Sequence, residues 1–307
     1  MADYYEATAG GIVVTTQAQV IAEIETFLTI SIAAPDLWTA DGTYTGDAYL
    51  EATNASAPAA PCYVALNAVA GSGVRAYWTD GTDYGAGVAI PADNVPGGLL
   101  MCADPPVGSI TYGGRLWLFA DANRFIACLK WPFFTGGANY HTVYSMLYAG
   151  YYTAHNNTDA YPLVTVSNVM STAIDSLLLD TSFTAEQKIS MTSFPAIWSH
   201  HDINDIPEQS TNIVVAGAMP GPLQMIPVDN SVAPPEIFLY EQWLVDYAAG
   251  KGKSMFLTGT YRVSNTLVPE SFYVVGAATY FCWPGCMLPA FQNRGPMFLI
   301  GPRGTGV

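Results

Sequence analysis

Few residues in this chain have the types needed for chemistry, and their spacing argues against each reaction in turn. The run Ser199-His200-His201-Asp202-Ile203-Asn204-Asp205 is the one polar cluster with metal-ligand residue types. Adjacent histidines on a strand face opposite ways, so a single ion would need the backbone to fold back on itself, and solvated loop residues are the simpler reading. His141 and His155 flank an aromatic segment, where a hydrogen-bonded structural histidine fits better than a catalytic one. Cys282-Trp283-Pro284-Gly285-Cys286 has three intervening residues, one more than redox and zinc-knuckle motifs use, and no second pair follows. The remaining cysteines, Cys62, Cys102 and Cys128, are irregularly spaced, so buried free thiols are expected for most of the five. Asp80 with Asp83 or Asp121 could form a glycosidase acid pair, yet turn formation among Gly and Asn fits each of them better. The chain has no Gly-x-Ser-x-Gly elbow, no His-Glu-x-x-His and no phosphate-binding loop; Gly71-Ser72-Gly73 and Gly85-Ala86-Gly87 read as turns. The expectation is a non-enzymatic protein with no catalytic residue, no metal and no cofactor.

Charge narrows the partners. With 25 acidic against 10 basic residues the formal net charge is −15, a surface that repels nucleic-acid phosphate, and the basic residues form no patch beyond Lys251 and Lys253. Direct nucleic-acid binding is therefore disfavoured. Half of the 307 residues are hydrophobic, but 28 Gly and 21 Pro interrupt them, and no apolar run reaches the roughly 18–20 residues of a membrane helix. No membrane association is expected, and the start Met1-Ala-Asp-Tyr-Tyr-Glu6 lacks the basic and apolar blocks of a secretory signal, which points to assembly in a cytoplasm. Few lysines beside many Thr, Ser, Asn, Gly and Tyr suit burial against partner subunits, because little charge has to be desolvated there.

The elements that would position these residues are mostly strands. Thr15 and Thr16 can cap a helix over 17–28, whose Val20, Ile21, Ile24, Phe27 and Leu28 share one face. Short β-rich stretches follow at Ala48–Glu51, Cys62–Leu66 and Val74–Trp78, divided by turn residues. Leu116–Ala120 and Arg124–Lys130 flank Asp121-Ala122-Asn123, which predicts a hairpin with Asn123 in left-handed conformation. In Thr142–Tyr152, Val143, Leu147 and Tyr151 recur every four residues, which predicts an aromatic helix packed on that hairpin. Further helices are possible at Ala173–Leu179 and Glu236–Tyr247, and strands return at Ser254–Thr258, Ser271–Val275 and Met297–Ile300. The fold expected is α+β and β-dominated, with short antiparallel strands in meanders and hairpins. Residues 1–165 would form an N-terminal α+β domain and 166–307 a C-terminal β-rich one, unless the whole is a single domain.

This order of elements resembles a group of virion structural proteins of tailed bacteriophages. The matching pieces are Phe27-Leu28 with Trp38, Leu116-Trp117 with Asn123-Arg124, Thr142-Val143-Tyr144 with Tyr148 and Gly150, and Tyr161-Pro162-Leu163; Leu257-Thr-Gly-Thr-Tyr-Arg262 followed by Pro269-Glu270 is also similar. The chain departs from the pattern at Phe133-Phe-Thr-Gly-Gly137 and at Ala154-His-Asn-Asn-Thr158. The resemblance implies a structural subunit of the virion, at the tail tip or baseplate, that assembles as a homo-oligomer with other virion structural proteins. A head–tail neck or connector component is the alternative, as is a carbohydrate- or receptor-binding module using Trp78, Tyr84 and Trp283 as exposed aromatics. Trp117, Asn123, Arg124, Tyr144, Tyr148, Gly150, Tyr161 and Pro162 then form a packing signature, with Trp117 and Tyr148 substantially buried. The acidic excess would also suit a lumen that DNA crosses without sticking.

Overall fold

The computed structural model describes residues 5–6, 10–32, 34, 36–40, 48–52, 62–69, 73–79, 98–102, 113–134, 140–151, 153–154, 163–167, 198–201, 207–210, 213–215, 237, 240–246, 253–263, 267–284 and 297–303. Two short strands, β1 (Tyr5–Glu6) and β2 (Ile12–Val14), precede helix α1 (Gln17–Thr26). Thr16 caps the helix by accepting from the Gln19 amide, and the Gln19 side chain accepts in return from the amide and hydroxyl of Thr15. The helix runs on into a π-type turn, Phe27–Ser31, and the chain then doubles back so that the Trp38 amide donates to the Leu28 carbonyl. A meander follows: β3 (Thr39–Ala40), β4 (Ala48–Ala52), β5 (Cys62–Val69), β6 (Gly73–Thr79) and β7 (Gly98–Met101). Next come β8 (Gly114–Asp121), β9 (Arg124–Phe134), β10 (Tyr140–Tyr151), β11 (Thr153–Ala154) and β12 (Leu163–Ser167). The remaining strands are β13 (Trp198–His201), β14 (Pro207–Ser210), β15 (Ile213–Val215), β16 (Tyr240–Asp246), β17 (Lys253–Val263), β18 (Phe272–Val275), β19 (Ala278–Pro284) and β20 (Met297–Ile300).

These strands form several antiparallel sheets. The meander sheet has the order β3-β4-β5-β6-β7, the central sheet β1-β8-β9-β10-β12 with β2 also on β8, and the third sheet β15-β16-β17-β20-β19-β18 with β11 on β17; β13 and β14 pair as a ribbon. Alternation along the central strands sends side chains into two cores. Leu116, Leu118, Phe125, Ala127, Leu129, Trp131, Leu147 and Ala149 join the apolar face of α1 and Leu50, Val64, Leu66, Val74 and Leu100 of the meander sheet. Their neighbours Trp117, Phe119, Ile126, Cys128, Tyr144, Met146 and Tyr148 point the other way, onto Leu257, Phe281, Trp283, Phe298 and Ile300 of the third sheet. The central sheet is thus covered on both faces, and strands from both halves of the chain share the second core. On the far side of the third sheet Tyr261, Tyr280, Cys282 and Leu299 form a smaller cluster.

The strand-dominated architecture with one short helix agrees with the β-dominated α+β expectation, and α1 and the hairpin β8–β9 stand where the sequence puts them. Two predicted helices are strands. Of the predicted helix at 142–152, residues 142–151 belong to β10, which pairs with β9 along eleven successive positions from Tyr140↔Phe134 to Gly150↔Arg124, and residue 152 lies outside the described residues. Because β10 is buried on both faces from Tyr144 to Tyr151, its apolar residues do not alternate with polar ones, so the four-residue recurrence carries no information about helix. The Thr, Val and Tyr content is what the strand uses. Glu236–Tyr247 likewise contains β16, a strand paired with β17. The predicted helix at 173–179 lies outside the described residues.

Candidate functional site

The tip of the β8–β9 hairpin gathers four of the eight residues of the packing signature, Asn123, Arg124, Tyr148 and Gly150. Its connection is two residues, Ala122 and Asn123, between the paired Asp121 and Arg124. The turn is closed by the Asp121 carboxylate, whose Oδ1 accepts from the amides of Asn123 (2.7 Å) and Arg124 (3.0 Å). Asn123 does not adopt the left-handed conformation expected of it; among the described residues the one non-glycine with positive φ is Glu270. Arg124 Nε lies 3.2 Å from Asp121 Oδ2, an ion pair across the turn. Burial pushes the Asp121 carboxyl above its ordinary range, and Arg124 and the two amides pull the other way without cancelling it. Asp121 therefore serves the turn, as the Gly and Asn context implied; Asp80, with which it could have paired, and Asp83 lie outside the described residues.

Gly150 explains why the signature carries a glycine there. It sits opposite Arg124 with φ +128, and a Cβ at this position would meet the Asn123 carbonyl oxygen and come within 2.6 Å of Arg124 Cα. The bend lets the Tyr151 amide donate to the Asn123 carbonyl (3.1 Å) and the Tyr148 hydroxyl donate to the Tyr151 carbonyl (2.6 Å). Trp38 closes the node from the helix side: its indole N–H donates to the Asp121 carbonyl at 3.0 Å, and its ring meets Phe125 edge-on at 5.7 Å. Trp38 was quoted in the sequence pattern only as the end of a helix. That it anchors the hairpin tip has no signal in the sequence beyond its being a tryptophan.

A second group lines the seam between the central and third sheets. Trp117 is 3% exposed and Tyr148 fully buried, as expected of a packing unit. Trp117 lies against Phe281 and Trp283, with centroids 5.6 and 5.4 Å away, and Tyr144 meets Trp283 edge-on at 5.3 Å. Trp283 is completely buried, so it is not the exposed aromatic that a receptor-binding reading requires. The side chain of Trp78, and Tyr84, Tyr161, Pro162 and His155 altogether, lie outside the described residues. Gly11, at φ +72, lies beneath Trp117, where a Cβ would fall 2.7 Å from the indole. Cys102, Cys128 and Cys282 are buried free thiols; burial pushes Cys128 well up and Cys282 to about 12, which makes both inert.

At the rim of the seam, Lys130 and Tyr144 are directly paired across β9 and β10, and both reach Glu270 on the turn before β18. Lys130 Nζ lies 2.7 Å and the Tyr144 hydroxyl 2.9 Å from the same oxygen, Glu270 Oε1. Sequence reasoning missed this trio, whose members lie up to 140 residues apart. Tyr144 and Pro269-Glu270 stood in the resemblance pattern, with nothing to link them to each other or to Lys130.

His200 and His201 are successive positions of β13, the strand geometry that argued against joint ligation. Among the described residues there is no group of three or more metal-ligating side chains, and no helix is long and apolar enough to cross a membrane. The arrangement is suited to rigid packing of one sheet on another. No protein-family model matches the chain, and no curated protein matches it.

Proposed function

We propose that this chain is a non-enzymatic structural subunit of a tailed bacteriophage particle, working at the tail tip or baseplate and assembling with copies of itself and with other virion proteins. The observation that carries this reading is convergence. Gly150 packs directly against Asn123 and Arg124, which lie apart from it in the sequence pattern, and Trp38 and Tyr148 reach the same hairpin tip through Asp121 and Tyr151.

Composition supports the same reading. A chain with 10 basic residues and 19 tyrosines can bury broad faces in a symmetric ring with little charge to desolvate. A central sheet covered on both faces gives such a subunit a stiff body, so contacts with neighbours can be made by the loops and outer surfaces. Mechanism here is assembly: apolar and aromatic faces bury against copies and neighbours, without a reaction step or a cofactor. The protein would be made in the host cytoplasm and reside in the virion.

The test is to purify particles on a density gradient and identify their proteins by mass spectrometry. The chain should band with the particles at a fixed ratio to the other tail proteins. Its presence only in the soluble fraction of the lysate would contradict the reading.

A further inference from the structure

Glu270 stands where the backbone favours glycine. Its φ of +59 is the left-handed region, and the residues around it explain the demand: Glu270 N–H donates to the Cys282 carbonyl and Cys282 N–H donates to the Ser271 carbonyl, both at 2.8 Å. Two residues, 270 and 271, thus oppose one, 282, which is the pattern of a bulge whose first residue is usually a glycine. Pro269 just before it is the common residue at the preceding position of such a turn. A side chain in this conformation strains the backbone, and such strain persists only where the surroundings hold it.

What holds Glu270 is its own carboxylate. Oε1 takes a charged donor from Lys130 and a hydroxyl donor from Tyr144, two residues of the central sheet that stand directly opposite each other, and Lys130 Nζ lies 5.6 Å from the centre of the Tyr144 ring. The ion pair is reachable from solvent, with side-chain exposures of 34% for Lys130 and 24% for Glu270. Directly behind the trio lies Trp283, edge-on to Tyr144. A contact that salt or a competing charge can reach is therefore set over a strained turn at the mouth of the aromatic seam.

We propose that Glu270 is a latch: its carboxylate, gripped by Lys130 and Tyr144, keeps the turn at 268–271 in a strained conformation that opens when the grip is lost. Opening frees the bulge from β19 and uncovers the rim of the seam at Trp283. The device works within a single chain and does not depend on where the protein acts.

Amide hydrogen exchange on the full chain tests this at Cys282, whose N–H bonds to Ser271. Glu270→Ala keeps the strain and removes the grip, so the Cys282 amide should exchange about tenfold faster than in the wild type. Glu270→Gly removes both, so the turn should stay closed and exchange at about the wild-type rate. Lys130→Met leaves the turn's own sequence intact and should also speed exchange at Cys282, with the β9–β10 amides unchanged. High salt should do the same to the wild type and not to Glu270→Gly. An unchanged rate in Glu270→Ala and Lys130→Met, or equal opening in Glu270→Ala and Glu270→Gly, would overturn the proposal.

Discussion

The indole N–H groups of Trp117 and Trp283 are buried in the seam and find no acceptor among the described residues. Each such donor costs about 1–3 kcal/mol relative to a bonded one, so these tryptophans are kept for their ring volume and not for their polarity. Trp117→Phe gives up part of the ring but also the unsatisfied donor, and should cost no more than about 1.5 kcal/mol in chemical denaturation. Trp117→Ala opens a cavity beside Phe281 and Trp283 and should cost about 3–5 kcal/mol. Equal losses for the two would mean that the N–H has a partner. Asp121 supplies a second residue-scale test. Its carboxyl is raised by burial, so the folded protein holds that proton more tightly than the unfolded chain does. The stability it contributes is complete below the ordinary Asp range and is lost as pH rises through the raised value. Wild type should therefore lose stability relative to Asp121→Asn as pH climbs from the ordinary Asp range toward neutrality. A slope of the opposite sign would show that Arg124 and the turn amides outweigh desolvation.

Strand β10 separates what the sequence could show from what it could not. A helix on a sheet would tolerate charge on its outer side, whereas β10 sends Leu147 into one core and Tyr148 into the other. Leu147→Asp and Tyr148→Asp should each cost more than about 4 kcal/mol, leaving little folded protein at room temperature by circular dichroism. Tolerance of either would contradict the two-sided burial. Elements with one wet face were legible: α1 announced itself by its apolar stripe and its threonine cap, and the β8–β9 hairpin by its polar connection between β-rich runs. β10 was not, because the sheet-on-sheet packing that buries both of its faces is a tertiary fact, and a run whose apolar residues do not alternate with polar ones fits a buried helix or a buried strand alike. The hairpin tip was half legible. Asn123-Arg124 and Gly150 stood out in the pattern and Asp121 read as a turn residue, but the role of Trp38 depends on a contact with a residue 83 positions away in sequence. The Glu270 trio was illegible for the same reason.

At the scale of the whole molecule, the described residues form three large antiparallel sheets packed in succession around a twice-buried central layer, a stiff body. Rigidity of this kind suits a subunit whose work is to hold position among neighbours, the role proposed for this chain. The claim that matters most is that the chain is built into a tailed phage particle. Electron cryomicroscopy of intact particles tests it directly: density that fits the three-sheet body should appear in a symmetric ring at the tail end, in contact with other virion proteins. A fully assigned particle with no density for this chain would contradict the account.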